Sequence, residues 1–242
     1  MDSPCGEGAG RDEILSKWGT MELNADFSER VVMRPEDYQW VTSPSAGVER
    51  MMLDRIGGEI ARATTIVRFQ PGSRFDAHTH GGGEEFFVLE GVFSDESGDF
   101  PAGSYIRNPI GTSHAPYTEE GCTIFVKLHQ FAADDTEQFS IDTASAKFIE
   151  GPVEGLTVLP LHSASNENVQ LSRWKPGTRF ISHDHWGGEE VLVLEGTLQD
   201  EHGVYPKGTW IRSPHMWRHA PFSEEGCLVY IKTGHLGGEL SF

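Results

Sequence analysis

The chain states one pattern twice at a fixed spacing, and that repetition constrains its fold more than any other feature. Gly72-Ser-Arg-Phe-Asp-Ala-His78-Thr-His80-Gly-Gly-Gly-Glu84 returns as Gly177-Thr-Arg-Phe-Ile-Ser-His183-Asp-His185-Trp-Gly-Gly-Glu189. His114 and His219, Gly91 and Gly196, Gly103 and Gly208, Pro109 and Pro214, and Cys122 and Cys227 keep the same separation of 105 residues, with no insertion between them. A period this long implies two tandem domains and excludes a solenoid of short repeats. A length of 242 residues accommodates two small domains. The reading places a disordered tail at 1–20, a first domain at 21–150 and a second at 151–242. Within the tail, Arg11 to Trp18 carries the pattern of one or two helical turns, too short to persist alone.

Inside each domain the local signals are those of strands. Arg30-Val-Val-Met and Arg62-Ala-Thr-Thr-Ile-Val-Arg-Phe are rich in β-branched residues, and Pro35, Pro44 and Gly57-Gly58 mark turns between them. Val88-Leu-Glu-Gly91 and Val193-Leu-Glu-Gly196 read as strands ended by glycine. Asp95-Glu-Ser-Gly98 and Asp200-Glu-His-Gly203 read as turns. Many short strands with almost no helical periodicity predict an all-β protein built of antiparallel barrels or sandwiches.

The repeated stretch also carries chemistry. Histidines separated by one residue share a face of a strand, because side chains alternate with a period of two. A glutamate arriving past a run of glycines can fold back to the same point, and His114 and His219 supply a further imidazole in each copy. The histidine inventory supports this grouping. Six of the eleven histidines form the two triads, whereas His129, His162, His202, His215 and His235 face Gly234, Gly57, Ser97, Ile110 and Gln130 at the repeat spacing. The candidate metal ligands are therefore His78, His80, Glu84 and His114 in the first copy, and His183, His185, Glu189 and His219 in the second.

Written as G-x5-H-x-H-x3-E-x6-G followed by G-x5-P-x-G-x2-H, the first copy fits throughout, and the second departs once, with Met216 in place of the last glycine. This is the two-part signature of the cupins, and the chain resembles a bicupin over about residues 25–242. The resemblance implies two tandem cupin (double-stranded β-helix or jelly-roll) barrels, each holding a divalent metal through three His and one Glu. The text around the motif, including Gly103-Ser-Tyr-Ile-Arg-Asn-Pro and His114-Ala-Pro-Tyr-Thr-Glu-Glu-Gly-Cys, is similar to the cupin domain of ChrR-type anti-sigma factors. In that family the tetrad binds zinc, and a separate N-terminal helical domain with its own His/Cys zinc site binds the sigma factor. Here no histidine precedes His78 and the only cysteine in that region is Cys5. The resemblance thus carries over the cupin and not the anti-sigma activity.

Three imidazoles and a carboxylate suit Fe2+ or Zn2+, with Mn2+ and Ni2+ also admitted, and leave one or two positions for water, dioxygen or substrate. The residual positive charge favours an anionic small molecule. Three readings stay open: a non-haem metal-dependent oxidoreductase, foremost an Fe2+ dioxygenase acting on a small dicarbonyl-type substrate; a ChrR-like zinc-binding sensor or regulatory cupin; and a non-redox cupin isomerase, decarboxylase or lyase.

Weaker site candidates are Arg107 and Arg212, placed to point inward at a substrate carboxylate or else to form a structural pair with a repeated acid such as Glu90 and Glu195, and Tyr117 near the mouth of the first site. Glu85 and Glu190 point away from the metal by strand alternation, toward solvent or the other domain, whereas Phe86 and Val88 share parity with Glu84 and are expected to line the first pocket. Trp186, Met216 and Trp217 are expected to crowd the second site, where the first has Gly81, Thr112 and Tyr117.

Charge and cysteine content set the remaining bounds. A net charge of -18 repels phosphate backbones and anionic lipid, which argues against nucleic-acid and membrane-surface partners. A homodimer is admitted. Three cysteines without a CxxC suggest no disulfide framework, with Cys122 and Cys227 as buried thiols. No apolar run approaches the ~18 residues of a membrane span, and the N-terminus has neither basic nor apolar signal regions. The expected location is the cytoplasm.

Overall fold

In this computed structural model the described residues are 21–58, 60–164 and 167–236. The expected tail at 1–20, with its helical turns, lies outside them. The first half runs Met21–Leu23 (β1), Val31–Met33 (β2), Val41–Thr42 (β3), Val48–Gly57 (β4), Ala61–Phe69 (β5), His78–Thr79 (β6), Glu84–Asp95 (β7), Gly98–Pro101 (β8), Ser104–Asn108 (β9), Ser113–His114 (β10), Cys122–Leu128 (β11) and Phe139–Asp142 (β12). The second runs Ile149–Glu150 (β13), Leu156–Ala164 (β14), Glu167–Trp174 (β15), Thr178–Arg179 (β16), His183–Asp184 (β17), Glu189–Asp200 (β18), Gly203–Pro206 (β19), Trp210–Ser213 (β20), Arg218–His219 (β21), Phe222–Ser223 (β22) and Cys227–Thr233 (β23). One turn of 3-10 helix, Pro35–Asp37, is the only helical element among the described residues, and no helix there is long and apolar enough to cross a membrane. The protein is all-β, with two barrels in tandem, as the repeat predicts.

The main sheet of each barrel follows one plan. The first has the order β1-β4-β5-β11-β7-β9-β12 and the second β13-β14-β15-β23-β18-β20-β2, all antiparallel. The last strand of each sheet comes from outside the repeat. β12 follows the first repeat and pairs with β9, Phe139 opposite Arg107; β2 precedes it and pairs with β20, Val31 opposite Arg212. β2 therefore lies within the span expected to build the first barrel yet completes the sheet of the second. Pairing of this kind closes sheet edges that would otherwise expose free N–H and C=O groups.

Strands β7 and β18 are apolar on both faces because each face meets a different core. Phe86 and Val88 join Val48, Phe69, Phe93, Ile106, Ile124 and Val126 inside the first barrel. Phe87 points the other way and packs with Met51, Leu53, Tyr105 and Phe125 against Leu159, Leu171, Leu192, Trp210 and Tyr230 of the second barrel. Burying each such side chain contributes roughly 1.5–3 kcal/mol, so the shared core is what holds the barrels face to face. Where β7 and β18 bend past the shared pattern, only glycine fits. A Cβ on Gly91 would lie 2.0 Å from the Gly121 carbonyl oxygen, and one on Gly196 2.1 Å from that of Gly226, at φ of +73° and +68°.

Charge runs through the centre of this interface. Lys127 on β11 donates to Glu190 on β18, while Lys232 on β23 stands 3.3 Å from Glu85 on β7. Each barrel's lysine thus reaches the other's glutamate. Glu85 also accepts from Arg107 and, at 2.7 Å, from the Tyr230 hydroxyl; Glu190 accepts from Trp210 Nε1 at 2.7 Å and meets His235 at 3.0 Å. The earlier alternatives for Glu85 and Glu190 resolve in favour of contact with the other barrel, since both are 1% exposed. Such buried pairs add little net stability over apolar packing, but they penalise any other docking by leaving charges unpaired.

Candidate metal centre

The first site is assembled by pairing rather than by one long strand. The two-residue ribbon of β6 and β10 sets His78 opposite His114. Backbone bonds from His80 N to Thr112 O (2.9 Å) and Gly111 N to His80 O (2.9 Å) extend that pairing to His80. Glu84 opens β7, flanked by Asn108 of β9 and Leu128 of β11. The result is that His78, His80, Glu84 and His114 each present one ligand atom within 4.8 Å of the others. Ligands bonded at ~2.0–2.2 Å to a common cation fall within that spread.

Each donor is aimed by a neighbour. Nδ1 of His78 meets Asp76 O at 3.0 Å, Nδ1 of His80 meets the Thr112 hydroxyl at 2.9 Å, and Nδ1 of His114 meets the Asp95 carboxylate at 3.2 Å. With Nδ1 engaged, Nε2 is left for the centre. Nε2 of His80 and of His114 are buried without a hydrogen-bond partner, 3.3 and 3.4 Å from the same oxygen of Glu84. Orphaned buried nitrogens facing one carboxylate oxygen are costly unless something positive sits between them. The donor set therefore fits a divalent metal. Asn108 steadies the carboxylate through a 3.3 Å bond to Glu84, and Gln138, just before β12, orients Asn108 at 3.1 Å.

Electrostatics match this use. Burial lowers the pKa of His80 and keeps it in the neutral, ligating form. For His114 burial acts in the same direction, but the Asp95 hydrogen bond together with the charges of Glu84, Asp95 and Glu96 outweighs it and raises the pKa. In the sequence Asp95 reads only as part of a turn, together with Glu96, which accepts from Ala115 N at 3.0 Å. The available signal was the repetition of both acids at 200 and 201, where Glu201 accepts from Ala220 N at 2.9 Å.

A cavity of about 430 Å³ opens onto this first group, with exposed His78 at its mouth. Its walls are Val67 and Phe69 of β5, Ile124 and Val126 of β11, and the two arginines of β4, Arg50 and Arg55. Phe86 and Val88, expected as lining, face the same barrel interior but are covered there by core packing and do not reach the cavity. Tyr117 is no part of it either. It stacks under Arg74 at 4.9 Å and bridges to Ser94.

The two arginine candidates take the structural alternative, ion pairing, and not the place at a substrate carboxylate. Arg107, on β9 with Glu85 opposite, points to the interface and pairs with Glu85, Asp135 and Glu167. Arg212 pairs with Asp54 at 3.2 Å and donates to Asp26 O at 2.9 Å. Neither faces a metal group, and neither partner is Glu90 or Glu195. On β9 the residue that reaches the ligand group is the next one along, Asn108, which donates to Glu84.

The second site repeats the pairing, His183 opposite His219, but not the finish. Its compact group is His183, His185 and His219 alone. Glu189 presents one oxygen to His185 at 3.3 Å and the other to His219 at 3.5 Å, so no single oxygen serves both. Ser213 stands where Asn108 holds Glu84, and Trp217 where Thr112 holds His80. Nε2 atoms of His185 and His219 lie 3.2 Å apart. Met216 adopts φ +60° at the position where Gly111 adopts +88°. The tryptophans turn outward, Trp186 onto His215 and Trp217 onto His202 and Arg30.

Solved structures with this fold include a Nostoc punctiforme protein provisionally called a dioxygenase (13% identity, 93% of this chain and 91% of that one covered, TM-score 0.74). An Escherichia coli protein, Ylba, matches at 14% identity, 96% and 100% coverage and TM-score 0.68. Oxalate decarboxylase of Bacillus subtilis matches at 14%, 97% and 85%, and 0.60. At these identities they show the fold alone. No curated protein sequence matches closely enough to count as a relative. The ChrR cupin-like domain matches residues 28–132 and again 136–237, so the chain belongs to that family and carries its domain twice.

Proposed function

We propose that the first barrel is the reactive centre of a metal-dependent oxidoreductase, an Fe2+ dioxygenase that cleaves a small dicarbonyl-type substrate. The observation that carries this reading is the convergence of three imidazoles and one Glu84 oxygen at a cavity of about 430 Å³ open to solvent. Bound iron would supply Lewis acidity toward an enolate and one-electron reactivity toward dioxygen. The chain's own residues do the rest. Asp76 O, Thr112 and Asp95 hold the imidazoles in one orientation, Asn108 holds Glu84, and Phe75, Ile124 and Val126 give the cavity apolar walls that limit water. Cleavage of a 1,3-diketone consumes one dioxygen and leaves a carboxylic acid and a 2-oxo aldehyde, so both oxygen atoms end in products and no outside reductant is required.

The Nostoc punctiforme neighbour's provisional name leans the same way, and the free thiols Cys122 and Cys227, both buried, fit a cytoplasmic setting. The acidic surface argues against nucleic-acid partners. Protein purified without added metal is to be assayed for bound iron and for oxygen uptake on 1,3-diketones. His78→Ala should abolish uptake, and His183→Ala should leave most of it. Tightly held zinc without oxygen uptake would instead identify a ChrR-like zinc sensor, and turnover without oxygen a decarboxylase, isomerase or lyase.

A further inference from the structure

The strand that closes each main sheet comes from outside the repeat, and register makes the two comparable residue by residue. In the first barrel Phe139 and Ser140 of β12 lie opposite Arg107 and Ile106; in the second Val31 and Val32 of β2 lie opposite Arg212 and Ile211. Arg107 and Arg212 are separated by the 105 residues of the repeat. Gln138, one residue before Phe139, and Arg30, one before Val31, therefore hold equivalent places beside the two ligand groups. They do different work there. Gln138 donates to Asn108, which in turn holds Glu84. Ser213, the counterpart of Asn108, has no amide to pass such a contact on, and Arg30 reaches Asp200 instead.

Asp200 is the counterpart of Asp95, the acid that aims His114 at 3.2 Å. Arg30 stands 3.4 Å from Asp200 and donates to the Tyr205 hydroxyl at 2.8 Å; Tyr205 donates in turn to Asp200 at 2.6 Å. In the first barrel Phe100 stands where Tyr205 does and offers no hydroxyl. With only 15% of its side chain exposed, and its guanidinium 5.4 Å from the ring centres of Tyr205 and Trp217, Arg30 is held in place and cannot turn to water. Asp200, so engaged, lies 3.7 Å from Nδ1 of His219, beyond hydrogen-bonding distance. The other supports are missing as well. Trp217 has no hydroxyl to offer His185 as Thr112 offers His80, and Glu189 stays outside the compact group.

We propose that Arg30 detunes the second site by holding Asp200 away from His219. The four-donor arrangement that the family implies is met in the first barrel and not in the second. Each lost partner of a ligand costs roughly 10–100-fold in metal affinity. The chain accordingly carries one tight divalent metal, in the first barrel, and a second held by histidines alone at least about 100-fold more weakly. This assignment concerns metal retention and does not depend on which reaction the first barrel performs.

The test is titration of Zn2+ into metal-free full-length protein against a chromophoric chelator. Two phases are expected, the tight one removed by His78→Ala and the weak one by His183→Ala. Arg30→Gln installs the residue type that the first barrel has at this place. It should tighten the weak phase by roughly tenfold, the scale of one regained partner, and leave the tight phase unchanged. A merely structural role for Arg30 would move the weak phase the other way, since a loosened barrel scatters its ligands. Asp200→Asn, which leaves Arg30 intact, should shift the weak phase by less than about threefold, because no bond to His219 is there to lose. Two phases of equal affinity, an Arg30→Gln weak phase that is unchanged or weaker, or a tenfold loss in Asp200→Asn overturns the assignment and leaves the first metal centre standing. Retention of no metal by either barrel takes both down.

Discussion

Replacing Lys127 by Met isolates the cross-barrel charge pairing, because it removes one partner and keeps the shape. Lys127 and Glu190 side chains are each about 1% exposed, so neither can turn to water when the other is lost. Glu190 would keep Trp210 Nε1 at 2.7 Å and His235 at 3.0 Å, but lose its hydrogen-bonded cation and retain only the more distant charge of Arg62. Breaking such a pair costs about 3–5 kcal/mol, mostly the desolvation of the orphaned carboxylate. At roughly 2–4 °C per kcal/mol for a chain of this size, the melting temperature should fall by about 6–20 °C. Lys127→Met combined with Glu190→Gln should recover at least about 2 kcal/mol of the loss, measured by urea denaturation as a double-mutant cycle. His235, held to a pKa of about 4 largely by burial, should titrate higher in Lys127→Met, since the nearby Lys127 charge that helps to hold it down is gone. Additive single effects, or a loss below about 1 kcal/mol, would refute the view that this pair orients the barrels.

Three further outcomes follow from particular contacts. Asp95→Asn removes the carboxylate that holds His114, and should weaken metal binding at the first site by roughly 10–100-fold in a chelator competition while leaving the fold intact. His235 is neutral in the folded protein down to about pH 4 but takes a proton near pH 6.5 when unfolded. Its contribution is therefore fully present above pH 6.5 and is lost as pH falls toward 4, by about 3 kcal/mol, a slope that His235→Gln should flatten in denaturation curves across that range. Met216→Gly places glycine where φ is +60° and should raise stability by about 0.5–1 kcal/mol, whereas Gly111→Met at +88° should lower it by at least as much, read from urea midpoints.

Legibility differed by the reach of the interaction. His78, His80, Glu84 and His114 could be named in advance because a repeat preserved them together and because strand alternation is a rule of nearest neighbours. Asp95 was visible only as a turn residue, since its bond to His114 joins the ends of two strands that do not pair with each other. Arg107 was misplaced because its true partners, Glu85 across the ladder and Asp135 and Glu167 from the connector and the second barrel, leave no local trace. Arg50 and Arg55 were not singled out at all, for their separation of five residues puts them on opposite faces of a regular strand.

What the sequence determined alone was the repeat of two units, their all-β character, the first ligand set and the three histidines of the second, because period-two alternation, turn residues and a constant spacing act over a few residues and survive duplication. Tertiary structure decided which charges meet. A single bulged residue turned Asp54 out and Arg55 in, β2 joined the sheet of the second barrel, and Lys127 found Glu190 sixty-three positions away. Those outcomes depend on register and on the docking of two surfaces, and a free energy summed over many distant contacts has no signature in any short stretch of chain.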